Sequence, residues 1–440
     1  MPLLKSILTL IMIFIVGLSS SSLPIELNRL LYIPVEQSIS YSFQPAHTEV
    51  FNPGTINFSI NTTNTNVTIR NNPGNNLKVE AFKDGKTVEN LKYVELDSGN
   101  PAEEILIARD SPLFVQIDIS QKTTGLPDGE YLFRFYCENE KLAGIDPLEL
   151  KVGYKSDPQY YKSLNYQPKD NMGLKLYFPS TGGKYLIPVT RFVPENAAIL
   201  TKTMENLAMG ADPATTLQTG AIVPDFIKVY YSGTTVYVVL KPDSERLEAN
   251  EDLVMALHSI VYTLTEIPQM RRVQFLLNGK RVDELAPGVE VRNPWSPDTS
   301  PAAYLPYNTF DRYLLFPYRP DTLEAETIRE QCHVLFDTLK EGLPEDPMVG
   351  PVVPEDVDLL NVYFLSGTLT LDFNDAFLEA YNDERHKQYM MMDSILYTFS
   401  SIETVRNIQI LIDGNDGYSF ADYSLSKPLT RPLYLNPETN

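Results

Sequence analysis

The chain has 440 residues, a length that favours several domains over a single core. Its apolar fraction of 43% is sufficient for folded cores, which excludes disorder throughout the chain. The formal net charge of -21 argues against nucleic acid as a partner, because neutralising phosphates requires clustered lysine and arginine.

The first 22 residues, 1–22, have the pattern of an export signal. Lys5 supplies positive charge, Ile7 to Leu18 form a short apolar run, and Ser19 to Ser22 offer a cleavage site of small residues. The run is shorter than the roughly 20 residues that a transmembrane helix needs. We therefore expect an exported protein, extracellular or on the outer face of the cytoplasmic membrane. Membrane contact is expected only through an N-terminal segment left uncleaved.

Residues 27–155 are predicted to be a β-sandwich domain of immunoglobulin type. Alternating apolar residues, as in Tyr131 to Cys137, indicate strands with one buried face. Turn signals such as Asp84-Gly85 and Pro127-Asp128-Gly129 separate these strands. Cys137 lies in this domain and Cys332 far away in sequence, so we expect two separate buried thiols rather than a disulfide.

After a linker, 156–171, the pattern changes to mixed helices and strands. Residues 172–286 form a first α/β module and 311–421 a second. A Pro-rich linker, 287–310, separates the modules, and its Trp295 is expected to pack against a domain surface. A C-terminal tail, 422–440, follows.

An internal repeat relates the two modules. Ser259 to Gly279 aligns without a gap with Ser394 to Gly414, and the identities include Ser259/Ser394, Tyr262/Tyr397, Thr263/Thr398, Ile267/Ile402, Arg271/Arg406 and Gln274/Gln409. Tyr313 to Pro317 is matched with Leu176 to Pro179. A helix from about Leu323 to Glu341 is expected to start at a capping box of Asp321 and Glu324. Each copy is predicted to be a small sheet covered by two helices.

Four glycines are predicted to occupy structural turns: Gly233, Gly279, Gly367 and Gly414. The Ser-Gly-Thr sequences at Ser232 and Ser366 are matched with each other as hairpin turns, which require glycine where φ is positive. The Asn278-Gly279 and Asp413-Gly414 pairs end the last strand of each copy.

These residues carry a resemblance to a known family. The order strand, helix, Ser-Gly-Thr hairpin, helix and strand ending in Asn/Asp-Gly resembles the GerMN domain, in two tandem copies. The features that carry it are Leu174 to Pro179 (LKLYFP), the hairpins at Gly233 and Gly367, and the helices at Tyr262 and Tyr397. The resemblance implies a fold similar to ring-building modules of sporulation secretion channels and a role in sporulation or germination. It also implies the intermembrane space of a sporulating cell as a location. The predicted fold class is therefore α+β, an N-terminal immunoglobulin-like β-sandwich followed by two tandem α/β GerMN-like modules.

No catalytic, cofactor-binding or metal-binding residues are predicted. The repeat alignment places Asp393 at the position equivalent to His258. A position that carries histidine in one copy and aspartate in the other is typical of a solvated polar site. His333 follows Glu330 on one helix without further ligands, His386 lies in a charged run predicted as an exposed loop, and His47 has no partner in sight. The sequence contains no nucleophile elbow, zinc-protease or phosphate-loop motif, and no cofactor is expected.

Two hypotheses remain open at this point. The first is a non-enzymatic envelope protein that acts through protein partners or self-association of its GerMN-like modules. The second is an extracellular enzyme or ligand-binding sensor that acts on cell-wall material. A deep pocket with convergent polar groups would favour the second, and flat complementary surfaces the first.

Overall fold

The computed structural model describes residues 39–43, 48–62, 66–70, 77–94, 104–108, 112–137, 142, 144–215, 217, 222–244, 247, 251–320 and 327–438. The predicted export signal, 1–22, and His47 lie outside these ranges. Within them, no helix is both long and apolar enough to cross a bilayer.

The N-terminal part consists of two facing β-sheets. One sheet has the strand order β1-β3-β8, the other β2-β10-β9-β5-β6, and β4 pairs with β7. Phe58 of the first sheet packs on Phe135 of the second, with ring centroids 6.1 Å apart, so the two sheets share one aromatic core. The elements are β1 (Ile39–Phe43), β2 (Glu49–Phe51), β3 (Thr55–Thr62), β4 (Val67–Arg70), β5 (Leu77–Lys83), β6 (Lys86–Val94), β7 (Glu104–Ile107), β8 (Leu113–Asp118), the short helix α1 (Gln121–Thr124), β9 (Gly129–Cys137) and β10 (Leu148–Tyr154).

Two details of this part define its topology. Strand β2 runs parallel to β10, whereas β10 runs antiparallel to β9. At the start of β9, the Tyr131 hydroxyl donates to the carbonyl oxygen of Pro127 at 2.8 Å and fixes the corner between α1 and β9. Cys137 and Cys332 are both free and buried, which confirms the prediction of two separate thiols.

The first α/β module begins with a hairpin, followed by a helix, a second hairpin, a second helix and a strand. That last strand, β16, lies parallel to β15, so the sheet order is β14-β15-β16. The elements are β12 (Asn171–Pro179), β13 (Leu186–Pro194), α2 (Ile199–Ala208), a 3-10 turn (Pro213–Thr215), β14 (Phe226–Ser232), β15 (Thr235–Leu240), α3 (Glu251–Thr265), β16 (Arg272–Leu277), β17 (Glu284–Ala286) and β18 (Val289–Glu290). Before it, β11 (Gln159–Tyr160) pairs with a strand of the second module.

The second module repeats this order. Its sheet is β21-β22-β23, with β22 and β23 parallel, and a short extra helix, α5, precedes the long one. The elements are β19 (Ala303–Asn308), β20 (Arg312–Tyr318), α4 (Ile328–Glu341), β21 (Leu359–Leu365), β22 (Thr368–Phe373), α5 (Ala376–Glu379), α6 (Arg385–Phe399), β23 (Asn407–Ile412), β24 (Ser419–Phe420) and β25 (Tyr423–Ser424). Ser259 to Gly279 and Ser394 to Gly414 thus occupy the same elements, which confirms the duplication.

Helix α4 begins at Ile328 with a capping box of its own. The hydroxyl of Thr327 accepts from the backbone N–H of Glu330, and the Glu330 carboxylate accepts from the backbone N–H of Thr327. Asp321 and Glu324, predicted to form the box, lie outside the described residues.

The predicted match between Tyr313–Pro317 and Leu176–Pro179 is wrong. Tyr177 and Tyr304 are the equivalent residues, because the same two positions of the second helix bond to the backbone of each. Leu176–Pro179 therefore corresponds to 303–306, in the first strand of the second module's hairpin. The mismatch arose because both strands of each hairpin carry an aromatic or aliphatic residue before a proline, and period-2 patterns do not distinguish them.

The predicted Pro-rich linker, 287–310, contributes structure to both modules. Trp295 exchanges two backbone hydrogen bonds of 2.8 Å with Val273, and its ring packs edge-on against Phe275, so it packs against a domain surface as expected. The same segment then contains β19. In the second module Leu429 exchanges the equivalent backbone bonds with Ile408, so the start of the predicted tail, 422–440, covers the equivalent edge of the sheet.

Candidate interaction surface

Strands β14 and β21 each form one edge of a three-stranded sheet, and we call them the edge strands. Each pairs on one side with the second strand of its hairpin; on the other side, no strand of the described part of the chain pairs with either. The opposite edges of the two sheets are covered by the segments that hold Trp295 and Leu429. Each module therefore leaves the same edge open.

The edge strands expose large apolar side chains at equivalent positions. The hairpin registers align Ile227 with Leu360, Tyr230 with Tyr363 and Tyr231 with Phe364, whereas the position equivalent to Leu365 carries the polar Ser232. Three of these side chains are mostly exposed: Tyr231 at 61%, Tyr363 at 57% and Leu365 at 77%. Single exposed apolar residues are ordinary, but the same row on two copies of a module is not explained by chance exposure.

Both edge strands also carry the same irregularity. The pairing register shifts between Phe226 and Lys228 in the first module and between Leu359 and Asn361 in the second. The extra residue is Ile227 or Leu360, each of them exposed. A bulge bends and twists the strand locally, so both edges present the apolar residues with the same local geometry.

The side chains of the first edge strand are held in place by their neighbours. The Tyr230 ring stacks on Tyr237 of the paired strand, with centroids 5.1 Å apart and an interplanar angle of 8°. The ammonium of Lys228 lies 5.4 Å from the Tyr230 ring centroid. These contacts limit the rotamers of Tyr230, so ordering it in an interface costs less entropy.

The hairpin turns next to the exposed residues differ between the copies. In the first module the turn is Gly233-Thr234, and φ is 59° at Gly233 but not positive at Thr234, the pattern of a II′ turn. In the second module the turn is Ser366-Gly367, with φ of 51° and 83°, the pattern of a I′ turn.

The predicted match between the Ser-Gly-Thr sequences is therefore wrong by one residue. Glycine is the first central residue of the turn in the first module and the second central residue in the second module, and both turn types suit the twist of the strands. Gly279 and Gly414, with φ of 78° and 77°, each follow a residue of positive φ in I′-type turns.

The histidine predictions have mixed outcomes. His258 is half-buried and packs on Trp295 with ring centroids 4.9 Å apart, while its counterpart Asp393 is fully buried, so the prediction of a solvated position is wrong. Burial lowers the pKa of His258. His333 lies on α4 and belongs to no cluster of metal-ligating groups within the described ranges.

His386 lies in the first turn of α6 with its side chain 16% exposed, so the prediction of an exposed loop is wrong. Burial lowers the pKa of His386.

Asp393 is the buried acid that sequence reasoning missed. Its carboxylate accepts from the Tyr160 hydroxyl (2.8 Å), the Ser163 backbone N–H (2.8 Å) and the Tyr423 hydroxyl (2.9 Å). Burial nevertheless raises its pKa. Because the donors come from the linker and from the segment after β23, Asp393 joins three parts of the chain; no signal near it in sequence shows this.

A cavity of about 550 Å³ lies between the N-terminal sheets and the second module. Of its charged residues, Asp346 pairs with Lys184 at 3.2 Å and accepts from the Tyr185 hydroxyl at 2.8 Å, and Lys387 pairs with Glu384. The thiol of Cys332 lies elsewhere, and burial raises its pKa to about 12, which disfavours the reactive thiolate. Asp346 and Lys387 of this cavity are therefore held in ion pairs, and Cys332 does not line it.

Comparison with known proteins identifies the class of the modules. Residues 175–283 and 312–417 each match the model of the Germane family, described as sporulation and spore germination. Both modules are therefore GerMN domains, and the chain carries them in tandem. No curated protein matches the chain.

Three solved structures are among those similar to parts of the chain. The tandem GerMN domains of the sporulation protein GerM from Bacillus subtilis are 20% identical, cover 60% of this chain and 99% of their own, and have a TM-score of 0.48. The first GerMN domain of that protein is 22% identical over 29% of this chain and 96% of its own, with a TM-score of 0.24. A putative lipoprotein from Clostridium perfringens is 16% identical over 30% of this chain and 93% of its own, with a TM-score of 0.21.

Proposed function

We propose that this chain is a non-enzymatic envelope protein that acts in sporulation or spore germination by binding another protein through the edge strands of its GerMN domains. The family description supports the process. The observation that carries the mechanism is the row of exposed apolar side chains at equivalent positions on β14 and β21.

An open edge strand is suited to adding a strand from a partner. Its unpaired backbone groups supply hydrogen bonds, and alternate side chains supply specificity. Soluble proteins commonly shield such edges with charges, proline or very short strands. Here both edge strands have seven residues, and the only charged side chain on them is Lys228. Within the described residues, both GerMN domains thus have an edge strand that is unpaired on its outer side and has no proline and at most one charge to protect it, which supports a role in binding a partner protein.

The occupant we propose is a strand of a different protein rather than a second copy. With a net charge of -21, two copies repel each other over the range of the Debye length. A partner with a neutral or basic rim avoids this repulsion. Light scattering on the purified chain should therefore give the mass of a monomer at moderate salt.

We propose that the N-terminal sheets are an immunoglobulin-like domain that acts as a spacer. The parallel pair β2 and β10 and the tyrosine hydroxyl that bonds to the backbone four residues upstream are features of that fold. In this proposal the domain holds the GerMN domains away from an exported N-terminus on the outer face of the cell membrane.

The function is tested by rescue of a strain that lacks the gene. Tyr231→Lys combined with Phe364→Lys places a charge on each edge strand, and we expect spore yield or germination to fall to the level of the deletion. The matched control is Tyr166→Lys, because Tyr166 is equally exposed but lies in the linker. Circular dichroism confirms that each variant folds.

A second variant separates assembly from catalysis. His258→Ala with His333→Ala should leave rescue intact, since no proton transfer is involved. Loss of rescue by this folded double variant, or full rescue by the edge-strand variant, contradicts the proposal and favours an enzyme or sensor of cell-wall material.

A further inference from the structure

Three potential metal ligands meet where the linker crosses the second module. They are Asp157, just after the N-terminal sheets, Glu384, the residue before α6, and His386 in the first turn of α6. One ligand atom from each lies within 4.8 Å of the other two. Asp157 lies more than 220 residues before Glu384 and His386 in sequence, so the fold brings it to the other two ligands.

The imidazole is aimed into the cluster. Its Nε2 lies 3.3 Å from Oδ1 of Asp157, and this nitrogen is buried without a hydrogen-bond partner. Leaving a buried polar atom unpaired costs about 1–3 kcal/mol. A group that accepts the Nε2 lone pair would remove this cost.

Neighbouring side chains orient both carboxylates. The Gln159 amide donates to Oδ2 of Asp157 at 2.7 Å, which turns Oδ1 toward the imidazole. Oε2 of Glu384 contacts the Lys387 ammonium. Outer hydrogen bonds of this kind fix the ligands of a metal site.

The carboxylate of Glu384 does not cap the helix that it precedes. Glu384 is the N-cap of α6, yet its side chain makes no capping hydrogen bond. Its carboxylate lies instead with Asp157 and His386.

We propose that Asp157, Glu384 and His386 bind a divalent cation, with Zn²⁺ as the preferred ion. One imidazole nitrogen and two carboxylate oxygens are ligands that Zn²⁺ accepts, with water in a fourth position. Bonds of about 2.0–2.2 Å in a tetrahedron place the ligand atoms roughly 3.4 Å apart. The separation of Nε2 from Oδ1, 3.3 Å, is close to this value, and the Glu384 oxygen, within 4.8 Å of both, would have to move nearer to complete the site.

The surroundings set the expected strength of binding. The N-terminus of α6 disfavours a cation, and Arg385 and Lys387 are adjacent. Arg385 pairs with Asp422, whereas Lys387 pairs with the ligand Glu384 itself and competes with a cation for this carboxylate. We therefore expect affinity weaker than that of a structural zinc site with four protein ligands. A bound ion would fasten the linker to the second GerMN domain.

The experiment is calorimetric titration of the tag-free, chelator-treated full chain with ZnCl₂, with MgCl₂ as the second metal. The wild type should bind about one equivalent of Zn²⁺, and His386→Ala should bind at least about tenfold more weakly. His333→Ala is the matched control and should bind as the wild type does. Asp157→Asn provides a second test that leaves α6 unchanged.

Thermal melts give an independent readout, because a ligand that binds the folded state raises its melting temperature. Zn²⁺ should raise the melting temperature of the wild type and of His333→Ala, but not of His386→Ala or Asp157→Asn. Absence of saturable binding by the wild type, or equal binding by all variants, overturns the proposal. An ordinary ion pair between His386 and Asp157 would give that result.

Discussion

One position of the repeat, at the middle of the second helix, carries His258 in the first module and Asp393 in the second. His258 packs on an indole ring, whereas the Asp393 carboxylate accepts from three donors in other parts of the chain. The duplication thus preserved the backbone while the two copies diverged in what this position contacts. A buried carboxylate with donors from the linker makes the second module dependent on the linker's position.

The pKa of Asp393 leads to a prediction about pH. A carboxyl whose folded pKa is raised above its unfolded value contributes stability at low pH and loses it as the pH rises through the folded pKa. Asp393→Asn keeps an oxygen acceptor and does not titrate. The free energy of unfolding of this variant should therefore increase relative to that of the wild type as the pH rises above about 4.

Denaturant unfolding over a series of pH values measures this difference. Asp393→Leu is the companion variant, because it leaves two hydroxyls and one N–H without an acceptor and should cost about 3 kcal/mol or more at every pH. If the difference in unfolding free energy between the wild type and Asp393→Asn stays constant with pH, or changes in the other direction, then burial does not raise the pKa of Asp393.

At the scale of elements, the identities of the repeat have a structural meaning. Ser259 donates to the Tyr177 carbonyl oxygen at 2.5 Å, and Thr263 accepts from the Tyr177 N–H at 2.9 Å. Ser394 and Thr398 make the same pair of bonds to Tyr304. The helix therefore satisfies the backbone of the first hairpin strand as a neighbouring strand would, and in both modules.

Removing the first pair should be costly. Ser259→Ala with Thr263→Val leaves the buried N–H and C=O of Tyr177 unpaired, at about 1–3 kcal/mol each. The matched control is Thr265→Val on the same helix, because the Thr265 hydroxyl donates to the Val261 carbonyl of its own helix. Urea unfolding that gives equal midpoints for the double variant and the control would show that these bonds do not hold the hairpin.

The sequence allowed the repeat, the element order and the turn glycines to be predicted, because each depends on residues close together in the chain. Spacing alone could not distinguish the two strands of a hairpin, and matched Tyr313 with the wrong strand. Only the bonds from Ser394 and Thr398, about 90 residues later, make the correct assignment. The sequence did not locate an interaction surface, because the residues that the edge strands expose depend on the register of each hairpin.

At the scale of the molecule, the C-terminal segment lies between the two modules. Thr190 donates to the Asn436 carbonyl oxygen and accepts from the Glu438 N–H, both at 3.0 Å, so the segment follows β13 of the first module. The Arg191 guanidinium binds both carboxylate oxygens of Glu438 at 2.7 Å, and both residues are largely buried. Arg312 of the second module donates to the Pro437 carbonyl oxygen at 2.9 Å.

Asn436 of this segment bonds to both modules, and it is fully buried. Its amide nitrogen donates to the carbonyl oxygens of Pro188 and Leu315, each at 2.7 Å, and its oxygen accepts from the Leu315 N–H at 3.0 Å. Pro188 lies in the first module and Leu315 in the second. Asn436→Ala would therefore leave three buried backbone groups unpaired, at about 1–3 kcal/mol each.

Because the lost bonds join the two modules, Asn436→Ala should weaken their coupling as well as their stability. Differential scanning calorimetry should give one transition for the two modules of the wild type and a lower, broader or split transition for the variant. The matched control is Asn382→Ala, since Asn382 is exposed and bonds only to Glu379 of its own module, and its transition should be that of the wild type. If Asn436→Ala gives the same unfolding transition as the control, the bonds of Asn436 do not couple the two modules.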